Sequence, residues 1–214
     1  MRLRFAINRL FQPFRQRSLR KRYCALGGGS VSVIGNNCVA GMFCHDLGLR
    51  FDTPTVNLAF TFQEFLTLAE NLPDSLSAPI EDVPSAETFP VGLLKVEGAP
   101  SIRVKFIHYK TFAEAVDAWR RRTARVDRNR VVLLATDNSN ASPEDVARFL
   151  ALPYPKLCYT QDAETARLLG DCGVFVPGPF PNGFAITEFS GWTGKRHYHC
   201  EKALAVCCPQ SART

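Results

Sequence analysis

The sequence predicts an α/β fold: a three-layer, Rossmann-like arrangement with a mixed, mainly parallel sheet and helices on both faces. Three observations predict it. Short apolar runs recur at Val31–Ile34, Val131–Ala135 and Lys156–Thr160, the lengths and residue types of strands buried on both faces. Between them lie segments of helical period opened by Thr61-Phe62-Gln63-Glu64, Thr111-Phe112-Ala113-Glu114 and Ser142-Pro143-Glu144-Asp145, which carry helix-start chemistry. Strands alternating with capped helices build parallel sheets through right-handed crossovers. Third, Glu97-Gly98-Ala99-Pro100 separates two strand-like runs, Pro90–Val96 and Ser101–His108, and adds an antiparallel hairpin.

In chain order, residues 1–26 read as a basic amphipathic extension. Leu3, Ile7, Leu10 and Phe14 fall on one helical stripe, and residues 2–22 hold eight basic residues and no acid. That composition suits an anionic membrane surface; a solvated tail or a helix packed on its own domain are the alternatives. Pro13 interrupts the stripe, and the apolar core of a signal peptide is missing. The formal net charge of +6 therefore sits in this segment, because the rest of the chain carries 18 basic against 20 acidic residues. A near-neutral body argues against nucleic acid as a partner, which would want its basic patch on the fold itself.

Residues 27–192 read as a single α/β domain, a size that buries one core. Gly27-Gly28-Gly29 breaks the chain before the first strand. Asn36-Asn37-Cys38 then turns directly into a helix over 39–47. Thr55–Phe60 reads as a second strand. Helices follow over 62–72, 111–125 and 143–151, with a proline-bearing connection from Pro73 to Pro90. Asp162–Leu169 reads as a short helix and Gly173–Val176 as a last short strand. Residues 193–214 form a C-terminal tail with His197, His199 and a helix-like stretch, Cys200–Cys207, that periodicity leaves without a place in the sheet.

Eight cysteines occur, with no CxxC pair and no Cys/His spacing that fits zinc, so no metal site is expected. Cys158 and Cys172 lie in or beside apolar runs, where free cysteine behaves as a small hydrophobe. Mostly free thiols in a cytoplasmic setting follow, peripheral to the inner membrane face if the basic segment binds it. No stretch approaches the roughly 20 apolar residues of a membrane span.

Parallel strands place their C-terminal ends on one edge, where open α/β sheets bind ligands. That edge collects Cys38, His108 and Asp137 as candidate catalytic residues: a nucleophile, a base to activate it and an orienter for the base. Asn36, Asn37, His45, Asn57 and Tyr109 are candidate substrate-binding residues. An asparagine amide and a backbone N–H at the helix start would serve a developing oxyanion, and the helix start would favour the Cys38 thiolate. Each residue also has a plain structural reading: Cys38 as a small buried side chain, His108 as a hydrogen-bonding group at the sheet edge, and Asp137 as the head of a turn.

The stretches Ile34-Gly35-Asn36-Asn37-Cys38-Val39-Ala40-Gly41, His45-Asp46-Leu47-Gly48-Leu49 and Thr53-Pro54-Thr55-Val56-Asn57-Leu58 resemble the family known as domain of unknown function 1919, associated with exopolysaccharide biosynthesis. Pro90-Val91-Gly92, Phe106-Ile107-His108-Tyr109, Trp119-Arg120-Arg121-Arg122 and Thr136-Asp137 extend the resemblance over roughly residues 30–160, and the sequence after Gly191 departs from it. The resemblance implies a pathway, capsule and exopolysaccharide assembly, and no reaction. Capsule-pathway acyltransferases with a short Asn-Cys turn after their first strand offer a fold-level analogy. Two functions are thus expected in the alternative. One is an acyl or glycosyl transferase acting on a sugar chain or its lipid-linked precursor, with acyl-CoA or a nucleotide sugar as donor. The other is a non-catalytic interaction protein of a membrane-associated polysaccharide assembly.

Overall fold

The structure, a computed structural model, describes residues 2–138, 141–178, 189–190, 195–196, 198 and 201–208. A 24-residue helix, α1 (Arg2–Ala25), leads into β1 (Ser32–Gly35) and α2 (Val39–Leu47). Next come α3 (Phe62–Glu70), α4 (Leu72–Ser77), β2 (Ile80–Asp82), β3 (Val91–Leu94), β4 (Ile102–Lys105) and α5 (Phe112–Thr123). The second half holds β5 (Val131–Thr136), α6 (Pro143–Ala151), β6 (Lys156–Thr160), α7 (Ala163–Leu169) and β7 (Gly173–Phe175). The chain closes with β8 (Phe189–Ser190), β9 (Lys195–Arg196) and α8 (Glu201–Cys207).

The main sheet is parallel throughout, in the order β1-β5-β6-β7. Its strands are apolar on both faces and alternate residue by residue between two cores. Val33, Val132, Leu134, Leu157 and Tyr159 face one core with Leu19, Tyr23, Phe43, Cys44 and Leu204. Ile34, Leu133, Ala135 and Cys158 face the other with Phe65, Leu66, Trp119, Phe149 and Leu169. So α1, α2 and α8 cover one face, and α3, α5, α6 and α7 pack into the core on the other. This is the expected α/β class with helices on both faces.

The capped starts form as the sequence predicts. Thr61 and Glu64 exchange hydrogen bonds in a capping box at α3, Ser142 and Asp145 do the same at α6, and Thr111 caps α5. The 97–100 turn does join two antiparallel strands, but β2, β3 and β4 form a sheet of their own. The connection 73–90 supplies the third strand, β2, and most of α4.

Thr55–Phe60 is not a strand. The Thr55 hydroxyl accepts from the Gly35 N–H and shares a hydrogen bond with the Thr53 hydroxyl, and Asn57 adopts φ 66°, which breaks an extended run. A single antiparallel bridge, Ala59 to Lys105, is all that remains of the expected strand.

The last turn of α1 closes on the glycines. Tyr23 is buried and its hydroxyl donates to Gly29 O at 2.8 Å and to Cys207 O at 3.1 Å. A Cβ on Gly28 would lie 2.5 Å from the Tyr23 ring, so only glycine lets the chain double back there. The C-terminal segment reaches the same core through Tyr198, Ala203, Leu204 and Cys207. His197 and His199 lie outside the described residues.

Candidate functional site

β1 and β5 are parallel neighbours, so Asn36 and Asp137 emerge at the same edge. The turn after β1 is tight: a Cβ on Gly35 would sit 2.7 Å from Leu134 O and 3.0 Å from Ala40 Cβ. Asn36 clamps the two strand ends together. Its Nδ2 donates to Thr136 O at 2.7 Å, and its Oδ1 accepts from Thr136 N at 3.0 Å. Asn37 donates to Thr136 Oγ1 at 2.7 Å and accepts from Val39 N at 3.0 Å. Both asparagines are buried. Their amides therefore position the turn instead of facing a substrate, and Val39 N–H, already bonded, is no oxyanion donor. The two asparagines thus lie at the expected edge with their amides engaged in the turn.

The same turn fetches His108. Asn36 O accepts from Phe60 N at 2.8 Å, and Ala59 pairs with Lys105 in both directions, at 2.8 and 3.0 Å. Lys105 ends β4, and the turn Phe106–Tyr109 follows, held by Tyr109 N donating to Phe106 O at 3.0 Å. Phe106 anchors it in the core, edge-on to Tyr109 and Phe112. His108 thereby reaches the start of α2, and its Nε2 lies 3.6 Å from Cys38 Sγ. That is a thiol–imidazole contact within the range of a sulfur hydrogen bond.

Cys38 is the residue before α2, half-buried, with helical backbone angles. Burial pushes its thiol up from the ordinary value, and a contact with its own backbone N–H offsets this in part. The helix start alone does not win: desolvation favours the neutral thiol. A neutral thiol beside a histidine is a pair in which the imidazole must take the proton as the sulfur attacks.

Asp137 does not complete a triad. It is buried, and its Oδ2 accepts from Thr160 Oγ1 at 2.7 Å, at the β6 side of the edge. Among the described residues the His108 ring has its one bond to Cys38. His45 is likewise elsewhere. It lies in the last turn of α2, about 10 Å along the helix from Cys38 at 1.5 Å rise per residue. There its ring meets Gln16 at 3.4 Å and Asp46 at 3.2 Å.

Asn57, His108 and Tyr109 do converge. They border an open cleft of about 540 Å³ whose other wall is the polar face of α5: Glu114, Asp117, Arg121 and Arg122. Arg122 Nη1 donates to Tyr109 OH at 2.6 Å and to Val56 O at 3.1 Å, fixing the cleft floor. Asp117 pairs with Arg121 at 2.6 Å. The sequence reading missed this wall. Glu114, Asp117 and Arg121 recur at i, i+3 and i+7 opposite the Ala115/Trp119 stripe, a polar helical spacing that could have marked it. Among the described residues no group of three or more His, Cys, Asp or Glu is placed to hold a metal ion.

The fold and this edge define an α/β protein in which a thiol lies against a histidine that borders a polar cleft. The sequence matches the family described as Domain of unknown function (DUF1919) over residues 9–199, and the chain belongs to that family. The match begins inside α1 and runs past Tyr198, which corrects the expectation that the likeness stops short of the C-terminal segment. A relative from Haemophilus influenzae, named an uncharacterized protein, is 29% identical over 204 residues, 92% of this chain and 91% of the relative.

Proposed function

We propose that the protein is a transferase of acyl groups that uses Cys38 as nucleophile and His108 as its base. The supporting observation is the 3.6 Å contact between Cys38 Sγ and Nε2 of His108, a residue that also borders the cleft. In this reading Cys38 Sγ attacks the carbonyl carbon of an activated acyl donor, such as a coenzyme A thioester, while His108 Nε2 takes the thiol proton. The donor's thiolate leaves and receives that proton, and the acyl group stays on sulfur as a thioester. A hydroxyl of the acceptor then attacks, its proton passing to His108 and on to Cys38 as the C–S bond breaks.

The acceptor we assign is a sugar hydroxyl on an exopolysaccharide chain or its lipid-linked precursor, with the protein on the cytoplasmic face of the inner membrane. The polar lining of the cleft, Asn57, Tyr109, Glu114 and Arg122, suits a ligand rich in hydroxyls. Glycosyl transfer is the weaker form of the idea. Its chemistry wants carboxylates at the reacting centre, and among the described residues no carboxylate is bonded to the His108 ring.

The test is intact-mass measurement of the full chain after incubation with short-chain acyl coenzyme A donors. An acyl adduct on Cys38, absent from Cys38→Ala and formed at least tenfold more slowly in His108→Gln, is the expected result, about 1.4 kcal/mol or more of barrier. An unmodified Cys38 with every donor would sink the assignment. The second reading, a non-catalytic interaction protein, draws on the exposed apolar face of α1.

A further inference from the structure

We infer that the outward face of α1 docks the protein on an anionic lipid bilayer. The inference is independent of the chemistry at Cys38. The helix has two faces with opposite fates. Asn8, Leu19 and Tyr23 are buried on the α2 side, with Arg15 and Gln16 half-buried beside them. The opposite face carries Leu10 at 69% exposure, Phe14 at 70% and Phe11 at 49%. Leu10 and Phe14 are four residues apart and so lie one above the other, with Phe11 alongside.

Single exposed apolar residues are ordinary, but three large ones within two turns form a patch. Exposed Arg9, Arg17, Arg20 and Lys21 frame it, and residues 2–22 contain no acid. Charge complementarity decides the occupant. A second copy placed face to face would oppose the same flanking cations, Arg9, Arg17, Arg20 and Lys21, so self-association is repelled. A nucleic acid would use the cations and leave Leu10 and Phe14 in water. An anionic bilayer uses both: acyl chains receive the apolar centre, and lipid phosphates receive the flanking cations. No described helix is long and apolar enough to cross a membrane, so the helix lies in the plane of the surface.

The experiment sediments the full chain with vesicles of phosphatidylcholine alone and with a third of the lipid replaced by phosphatidylglycerol, at low and high salt. Two variants accompany it, L10S/F14S and R9Q/R17Q. All four side chains are exposed, and a thermal melt confirms that each variant stays folded. The expected result is binding to the anionic vesicles alone, weakened by salt, and reduced about tenfold or more in each variant. Other results would overturn the inference. They are no sedimentation with anionic vesicles, equal binding to neutral ones, variants that bind like the wild type, and a dimer in solution that L10S/F14S dissociates. Tighter binding to an oligonucleotide than to vesicles, unchanged in L10S/F14S, would also overturn it.

Discussion

At the scale of single residues, Cys38 carries the most consequence. Two influences act on its ionisation with opposite sign. The start of α2 favours the thiolate through the dipole, an effect of about 0.3–1 kcal/mol at an exposed terminus. Half-burial disfavours it, and the net direction is upward. Alkylation of Cys38 by iodoacetamide should therefore accelerate only on the alkaline side of an ordinary thiol's titration. A labelling rate already at its plateau near neutral pH would show that the dipole wins after all. Asn36 illustrates the opposite confusion, a polar residue at a ligand-binding edge that serves the fold. Asn36→Ala removes two hydrogen bonds to Thr136 from a buried position. It should cost about 2–3 kcal/mol in denaturant unfolding, since each orphaned group retains its desolvation penalty. Periodicity places both residues at the right edge. It cannot say which is locked into the turn and which meets a histidine, because that depends on partners, Thr136 and His108, seventy to a hundred residues away.

Elements show where local chemistry decides structure and where it does not. The helices over 39–47 and 143–151 match the sequence reading end to end: the second starts with a capping box and a proline, whereas the first has no side-chain cap on Cys38 and is bounded by the Asn37 bond to Val39 N–H and a left-handed Gly48. Thr55–Phe60 fails as a strand although its composition suits one. Hydroxyls of Thr53 and Thr55 satisfy backbone and side-chain partners locally, and a left-handed Asn57 turns the chain. The strand β2 is invisible in the sequence: Ile80-Glu81-Asp82 has no pattern of its own and pairs because β3 offers an open edge. α1 is the element whose attachment is most testable. It is tied to the body by Leu19 and Tyr23, and the tie depends on a chain reversal that only Gly28 permits. Gly28→Ala should force the Tyr23 ring from its site and destabilise the protein by about 1–3 kcal/mol, as overpacking does. A melting temperature equal to wild type would mean that the ring moves aside without cost.

At the scale of the whole molecule, the first and last segments are joined through one buried carboxylate. Asp46 on α2 accepts from Arg196 Nε at 2.8 Å and from Tyr198 OH at 2.7 Å, and all three residues are buried. Asp46→Asn removes the buried carboxylate charge that faces Arg196 and should cost about 3–5 kcal/mol, loosening the C-terminal segment from the core. Sequence reasoning left that segment unplaced because its anchor is a long-range ion pair with no local signature. It took Asp46 for one residue of a family-like stretch. The two cores together also set how stability responds to pH. Burial pushes the Cys44 thiol up to about 12 from 9.0, and raises Cys158, Tyr23 and Tyr198 above their ordinary values. Each of these groups is held neutral in the folded state and ionises first in the unfolded chain. Their contribution is thus complete below the unfolded value and is lost as pH climbs toward the folded one. Above pH 9 the unfolding free energy should fall, by about 1.4 kcal/mol per pH unit for Cys44 alone. Urea unfolding of the full chain at several pH values between 8 and 11 reads this slope directly. Cys44→Ala should start from lower stability, having lost buried volume, yet decline less steeply by that amount. Equal slopes for wild type and variant would mean that Cys44 titrates alike in both states and that its burial is relieved before the chain unfolds.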